Sequence, residues 1–436
     1  MSTANATAAP AKQKPPLRSR LFQGLQKVGR SLQLPIAVLP AAGILLRLGQ
    51  PDVFGADGLG WDAVAKVFSG AGGALLDSHF GLPLLFCIGV AIGFAKKADG
   101  STALAAVVGF LVYYSVIHQF PLDGPEGAEF VSTSSLTGAW RAGEEVTAAA
   151  YHNPGVLGGI IMGLLAASLW QRFHRTKLVD WLGFFNGRRL VPILMAFVGT
   201  GMGVLVVLGW QPIGDGITWL GEEITALGAI GAGVFGLINR GLIPVGMHQF
   251  VNTVSWFQIG EYTTPDGTVV QGDLNRFLAG DPSAGMFMSG FFPIMMFGLP
   301  AAALAIAHCA RPERRKAVTG MMLSLALTSF VTGVTEPIEF SFMFIAPLLY
   351  AIHAVLTAIS MAVTWALGVH AGFMFSAGMI DFSLNWSLAT KPWLIIPIGL
   401  VFAVVYYVTF RFAIVKFNLP TPGREPEEEV EDATKA

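Results

Sequence analysis

Two short stretches of this 436-residue chain set ionisable and hydrogen-bonding side chains into apolar sequence, and each could hold a polyhydroxylated ligand. The first, NRGLIPVGMHQFVNTVSWFQ (239–258), carries His248, Asn252 and Trp256 at four-residue intervals. If the stretch after Pro244 is helical, those three share one face. An imidazole and an amide can bond to hydroxyls while an indole lies against the C–H face of a sugar ring. Arg240 stands eight residues before His248, beside Gly241. The second stretch, TGVTEPIEFSFMFIAPLLY (332–350), contains Glu336 and Glu339 around Pro337. A proline suits the first turn of a helix, which would put Glu336 at the N-cap and Glu339 at the third position. Glu339 could there simply stabilise the helix start through its dipole. Glu336 could accept a hydrogen bond from a sugar hydroxyl and so raise that oxygen's nucleophilicity.

A carboxylate or imidazole in an apolar setting is expensive unless it has a partner or a task. Taken singly, Arg240 could snorkel to an interface, His248 could be a satisfied core residue, and Trp256 could belong to an aromatic belt. Their concentration in two segments favours a site. The substrate-binding candidates are therefore Glu336, His248, Arg240, Asn252, Trp256 and Glu339, with Glu336 and His248 in catalytic roles. His370 joins them from HAGFMFSAGMID (370–381), whose glycines close helix packing also explains. No phosphate-binding loop, Ser/His/Asp grouping or dinucleotide fingerprint occurs. Cys87 and Cys309 stand outside any CxxC or metal-ligand pattern. No metal, cofactor or disulfide is expected.

The elements that must position these residues are membrane helices. The chain is 53% hydrophobic and 13% charged, against about 25% charged for soluble domains, and its mean hydropathy is +0.60. A net charge of −1 gives no electrostatic case for nucleic acid. Apolar stretches long enough to cross, or nearly so, occur near 35–49, 81–95, 102–118, 155–171, 190–212, 217–238, 283–308, 317–334, 354–376 and 393–410. The fold class expected is all-α and polytopic, with about ten transmembrane helices and two interrupted or re-entrant segments. An amphipathic surface helix is expected at 19–34, with Leu21, Leu25 and Val28 on one face. The polar, basic start of the chain is not a secretory signal.

Basic clusters at Lys12 to Arg30, Lys96-Lys97, Arg172 to Arg189, Arg311 to Lys316 and Arg411 to Lys416 read as cytoplasmic, and both termini with them. The acidic loops at 50–80 and 119–150 read as external. Between Arg189 and Arg311, and again between Lys316 and Arg411, three strong spans stand where two cytoplasmic anchors demand an even number. The extra segment in each interval is one of the two chemistry-bearing stretches, 242–259 and 335–350. Irregular backbone at membrane depth survives only where it lines a protein-enclosed cavity. Parity leaves open whether each is a re-entrant hairpin or a short crossing.

TGVTEPIEF (332–340) resembles the signature of the glucose-superfamily enzyme IIC permeases of the bacterial phosphotransferase system. The resemblance runs from about residue 22 to FNLPTPGRE (417–425), and includes LQLPIAVLPAAGILLRLG (32–49), GGIIMG (158–163), FFNGRRLVPI (184–193) and GMHQFVNTVSWFQIGEY (246–262). GDLNRFLAGDPSAGMFMSGFFPIMMFGLP (272–300) looks most like the N-acetylglucosamine branch. The family implies a plasma-membrane homodimer in which one half of each subunit is scaffold and interface while the other carries the sugar. Here that gives a tail at 1–18, a scaffold at 19–213, a transport domain at 214–416 and an acidic cytoplasmic tail at 417–436. It also implies that Glu336 is the essential glutamate, and that His248 and Arg240 match the family's histidine and arginine. The sugar would be phosphorylated at its 6-hydroxyl by a phosphocysteine on a IIB domain. Neither cysteine of this chain lies in a IIB-like CxTRLR context, so a separate IIB protein is the expected donor. A glucose-specific IIC is one alternative. Another is a proton-coupled sugar transporter with Glu336 and His248 as a relay.

Overall fold

A computed structural model describes residue 27 and residues 31–77, 79–123, 127–134, 137–142, 145–148, 151–265, 267, 269–374 and 376–424. Most of the expected surface helix at 19–34 lies outside the described residues, as do the tail at 1–18 and residues 425–436 of the acidic tail. The apolar stretches fold as helices, because in hydrocarbon only intrasegment hydrogen bonds satisfy the backbone. In chain order these are α1 (Gln33–Ile36), α2 (Leu39–Leu48), α3 (Asp62–Leu76), α4 (Gly81–Phe94) and α5 (Gly100–Ile117). A three-stranded antiparallel meander, β1 (Glu129–Ser134), β2 (Thr137–Ala142) and β3 (Glu145–Ala148), precedes α6 (Gly155–Phe173) and α7 (Leu190–Ala226). Next come α8 (Ala229–Leu242), α9 (His248–Phe257), the hairpin β4 (Glu261–Thr263) and β5 (Val269–Gln271), and α10 (Asp273–Leu278). The short α11 (Phe291–Pro293) runs through a π-helical turn, Ile294–Gly298, into α12 (Leu299–Cys309). The chain closes with α13 (Pro312–Thr332), α14 (Glu336–Met343), α15 (Pro347–Ala366), α16 (Met379–Leu384) and α17 (Ile395–Lys416).

Among the described residues, six helical segments are long and apolar enough to cross a membrane: Gly100–Ile117, Gly155–Phe173, Gly187–Ala226, Phe291–Cys309, Pro347–Ala366 and Pro392–Lys416. The pair α3 and α4, bent by 51°, makes a seventh if taken as one broken span. The stretch at 35–49 yields only the ten-residue α2, and α13 starts on the charged run Glu313 to Lys316. One expected break is not there. The stretches at 190–212 and 217–238 were separable at Pro212 to Gly216, yet α7 runs through them for 37 residues. The Gln211 amide donates to Asp215 Oδ1 at 2.9 Å, one helical turn on, just past the proline. The chain turns instead at Gly228, whose φ of +56° suits a residue without Cβ. At about 1.5 Å per residue α7 is roughly 55 Å long, well beyond a hydrocarbon core of about 30 Å.

The two extra segments of the parity argument form short helices. Ten-residue α9 and eight-residue α14 rise only about 15 and 12 Å, less than a crossing. Buried apolar side chains fall into two clusters. The smaller joins α4 to α7 through Phe110, Tyr113, Met162, Trp170 and Met195. A Cβ on Gly159 would stand 2.1 Å from the Pro83 carbonyl oxygen, so α4 and α6 meet backbone to backbone. The larger cluster holds the C-terminal helices with Leu82 and Phe86 of α4, Val156 and Ile160 of α6, and Leu39 and Ala42 of α2.

A polar clasp reinforces that last contact. Arg47 of α2, 2% exposed, forks onto Asp52 with both oxygens at 2.6 Å. It also donates to the Leu384 carbonyl and to Ser387 Oγ, each at 2.6 Å, and Ser387 donates to Asp52 at 2.5 Å. The Arg47 hydrogen bonds hold the Asp52 carboxyl down at about 2.

Candidate functional site

The chain reaches the site through a tight turn. After α8 a 3-10 turn at Ile243–Val245 ends on Gly246, at φ +71°. The backbone then re-enters helix at His248. His248, Asn252 and Trp256 lie one turn apart along α9 and are all buried, as the four-residue spacing requires. On the other side, α13 stops at Gly333, φ +75°, where a Cβ would meet Ser376 Oγ at 2.7 Å. Thr335 is the N-cap residue of α14, with Glu336 and Pro337 following as its first two residues. Glu336 is thus one position inside the expected N-cap, since Thr335 already supplies the carbonyl that receives the Glu339 N–H at 3.0 Å.

Between these elements lies a cavity of about 380 Å³, near the lower end of the roughly 300–1,000 Å³ typical of small-molecule sites. Glu336, His248, Arg240, Asn252 and Trp256 all line it, drawn from α8, α9 and α14. Its apolar wall includes Phe291 and Phe373, and the Trp256 indole meets the Phe373 ring edge-on at 5.2 Å. Asn239, Gln249 and Thr335 also line the cavity. The Asn239 amide donates to Asn252 Oδ1 at 2.5 Å, and Asn252 donates to Gln249 Oε1 at 3.3 Å. Three nitrogens of lining residues, His248 Nδ1, Trp256 Nε1 and Arg240 Nε, are buried without a hydrogen-bond partner among the described residues. Buried polar atoms are nearly always paired. These three leave unused bonding capacity among the residues that line the cavity.

The other two candidates stand elsewhere. Glu339 does not line the cavity; fully buried behind it, its Oε1 accepts from Arg240 Nη1 at 2.9 Å. His370 is held in a β-bridge to Thr390, with Nδ1 3.1 Å from the Ala284 carbonyl and its ring against Trp365 at 4.6 Å. The structure does not bring it to the cavity. Asn239, Gln249 and Thr335 were missed, although each adjoins a residue already singled out. Among the described residues no group of three or more His, Cys, Asp or Glu side chains could hold a metal ion.

Comparison with known proteins adds an independent line. The family described as "Phosphotransferase system, EIIC" matches residues 29–358, which include both short helices and the cavity residues from Asn239 to Phe340. The chain is 74% identical to the PTS system N-acetylglucosamine-specific EIIC component of Streptomyces coelicolor over 436 residues, the whole of each chain. It is 47% identical over 407 residues to the PTS system N-acetylglucosamine-specific EIICBA component of Escherichia coli, 93% of this chain and 57% of that one. It is also similar to the crystal structure of the IIC component of the N,N'-diacetylchitobiose-specific phosphotransferase system. That match has a TM-score of 0.50 and 14% identity, and covers 92% of this chain and 94% of the other. At so low an identity it speaks for the fold alone.

Proposed function

As the chain belongs to the EIIC family of the phosphotransferase system, we propose that it binds and translocates N-acetylglucosamine and presents it for phosphorylation by a IIB protein. One observation carries this reading: five residues chosen for sugar chemistry, Glu336, His248, Arg240, Asn252 and Trp256, line a single cavity of about 380 Å³. The names of the Streptomyces and Escherichia relatives favour N-acetylglucosamine over glucose.

His248 and Asn252 bond to sugar hydroxyls, and Trp256 offers its ring face together with an unpaired N–H. Glu336, half-buried at the cavity wall, accepts the hydrogen bond of the 6-hydroxyl. That oxygen attacks the phosphorus of the IIB phosphocysteine; the O–P bond forms, the S–P bond breaks, and the hydroxyl proton passes to Glu336. The added charge weakens binding and the product leaves to the cytoplasm. In this reading about ten segments cross the plasma membrane, with both termini cytoplasmic. Residues 19–213 form the scaffold and dimer interface and 214–416 carry the sugar, with the continuous α7 linking the two parts.

The test is uptake of radiolabelled N-acetylglucosamine into vesicles holding this protein, with and without phosphoenolpyruvate-charged phosphotransferase proteins including IIB. Labelled sugar 6-phosphate accumulating only with the charged components is the expected result. Accumulation of free sugar without them, collapsing with an uncoupler, would replace this reading with proton coupling.

A further inference from the structure

Behind the cavity a chain of buried polar groups crosses four helices. Arg240 of α8 gives its Nη1 to Glu339 of α14 at 2.9 Å. His353 of α15 sets Nε2 3.4 Å from the same carboxylate oxygen. The other ring nitrogen of His353 lies 2.8 Å from the hydroxyl of Tyr406 on α17. Glu339, His353 and Tyr406 are completely buried and only Arg240 lines the cavity. The Arg240 backbone carbonyl accepts from Tyr350 Oη at 2.6 Å, and its guanidinium lies 4.8 Å over the Phe291 ring.

A bare lone pair on His353 Nε2 would face the Glu339 carboxylate, so Nε2 carries the proton. In the neutral ring Nδ1 then accepts from Tyr406 O–H, which fixes both tautomer and ring orientation. His353 Nε2 thus stands in close polar contact with Oε1 without a hydrogen bond of good geometry, while Arg240 pairs with the same oxygen through Nη1 and lines the cavity. Apolar side chains of similar volume often stabilise as well as a buried ion pair does. What they cannot do is hold a guanidinium at a set place and angle.

We propose that His353 and Tyr406 are positioning residues of the sugar site: they orient Glu339, which holds Arg240 against the cavity. This rests on the proposed function, in which Arg240 meets the sugar.

The experiment is a mutant cycle read in two ways: binding of N-acetylglucosamine to purified protein by calorimetry, and KM and kcat for sugar phosphate formation with charged IIB. His353→Leu is expected to raise both Kd and KM by about tenfold or more. His353→Gln keeps an N–H toward Glu339 and should recover to within about threefold of wild type, with Tyr406→Phe in between. In an Arg240→Lys background, His353→Leu should add less than about twofold, because the two act on one interaction. Kd and KM unchanged in His353→Leu and Tyr406→Phe, or effects of His353→Leu and Arg240→Lys that multiply, would overturn the proposal. If His353→Leu yields no folded protein, His353→Gln and Tyr406→Phe carry the same comparison. Wild-type protein that binds the sugar yet forms no phosphate would sink the functional reading instead, leaving the binding ratios to decide the positioning.

Discussion

Replacing Asp52 by Asn is expected to destabilise the protein more than replacing Arg47 and Asp52 together. Asp52 accepts two bonds from Arg47 and one from Ser387. A hydrogen bond to a charged group contributes about 1.5–3 kcal/mol. The Asp52 side chain is 35% exposed, so solvent screening brings the expected loss for the whole fork down to about 1–3 kcal/mol. The asymmetry lies with Arg47. At 2% exposed it has no route to water, so Asp52→Asn leaves a buried cation short of its counter-charge. The double variant Arg47→Met, Asp52→Asn removes that cation and should regain part of the loss. The assay is thermal unfolding of detergent-solubilised protein at one scan rate. Acid offers a second handle. The folded-state value of Asp52, about 2, lies below its ordinary 3.8. Its contribution is therefore complete above the ordinary value and is lost as pH falls through 3.8 toward about 2. Wild type should lose stability across that window more steeply than Asp52→Asn. Equal melting temperatures for wild type and Asp52→Asn, or a double variant weaker than the single, would refute the reasoning.

Two further outcomes follow from where the candidates lie. Trp256→Ala removes a buried ring and its N–H from the cavity wall and should raise KM for the sugar by about tenfold or more, with Trp256→Phe intermediate; sugar titrations of purified variants check this. His370→Gln should leave Kd and KM within about twofold of wild type, because His370 bonds the Ala284 carbonyl away from the cavity.

The stripe of His248, Asn252 and Trp256 was legible because a helix converts a four-residue spacing into a shared face whatever surrounds it. Glu336 was legible through the expense of a carboxylate in apolar sequence. Its neighbour Glu339 was misplaced on the cavity by the same reasoning. Only the packing of α8 and α15 against α14 decides which carboxylate meets the cavity and which meets Arg240 and His353. Those partners lie too far along the chain for spacing to link them. His370 looked functional for its apolar setting, which a backbone carbonyl and a tryptophan edge already satisfy. The break expected near Pro212 followed the gap between two apolar stretches and the domain boundary that the resemblance implies, but α7 continues to Ala226. The two segments that parity singled out form α9 and α14, and neither is long enough to cross a membrane.

The central claim, that the cavity holds a sugar whose hydroxyl Glu336 activates for phosphoryl transfer, is tested most directly by Glu336→Gln. Calorimetry would measure N-acetylglucosamine binding, and charged IIB would supply phosphate in the same preparation. The account predicts binding within about tenfold of wild type and a fall of about a hundredfold or more in sugar 6-phosphate formation. Near-normal phosphate formation by Glu336→Gln would contradict it.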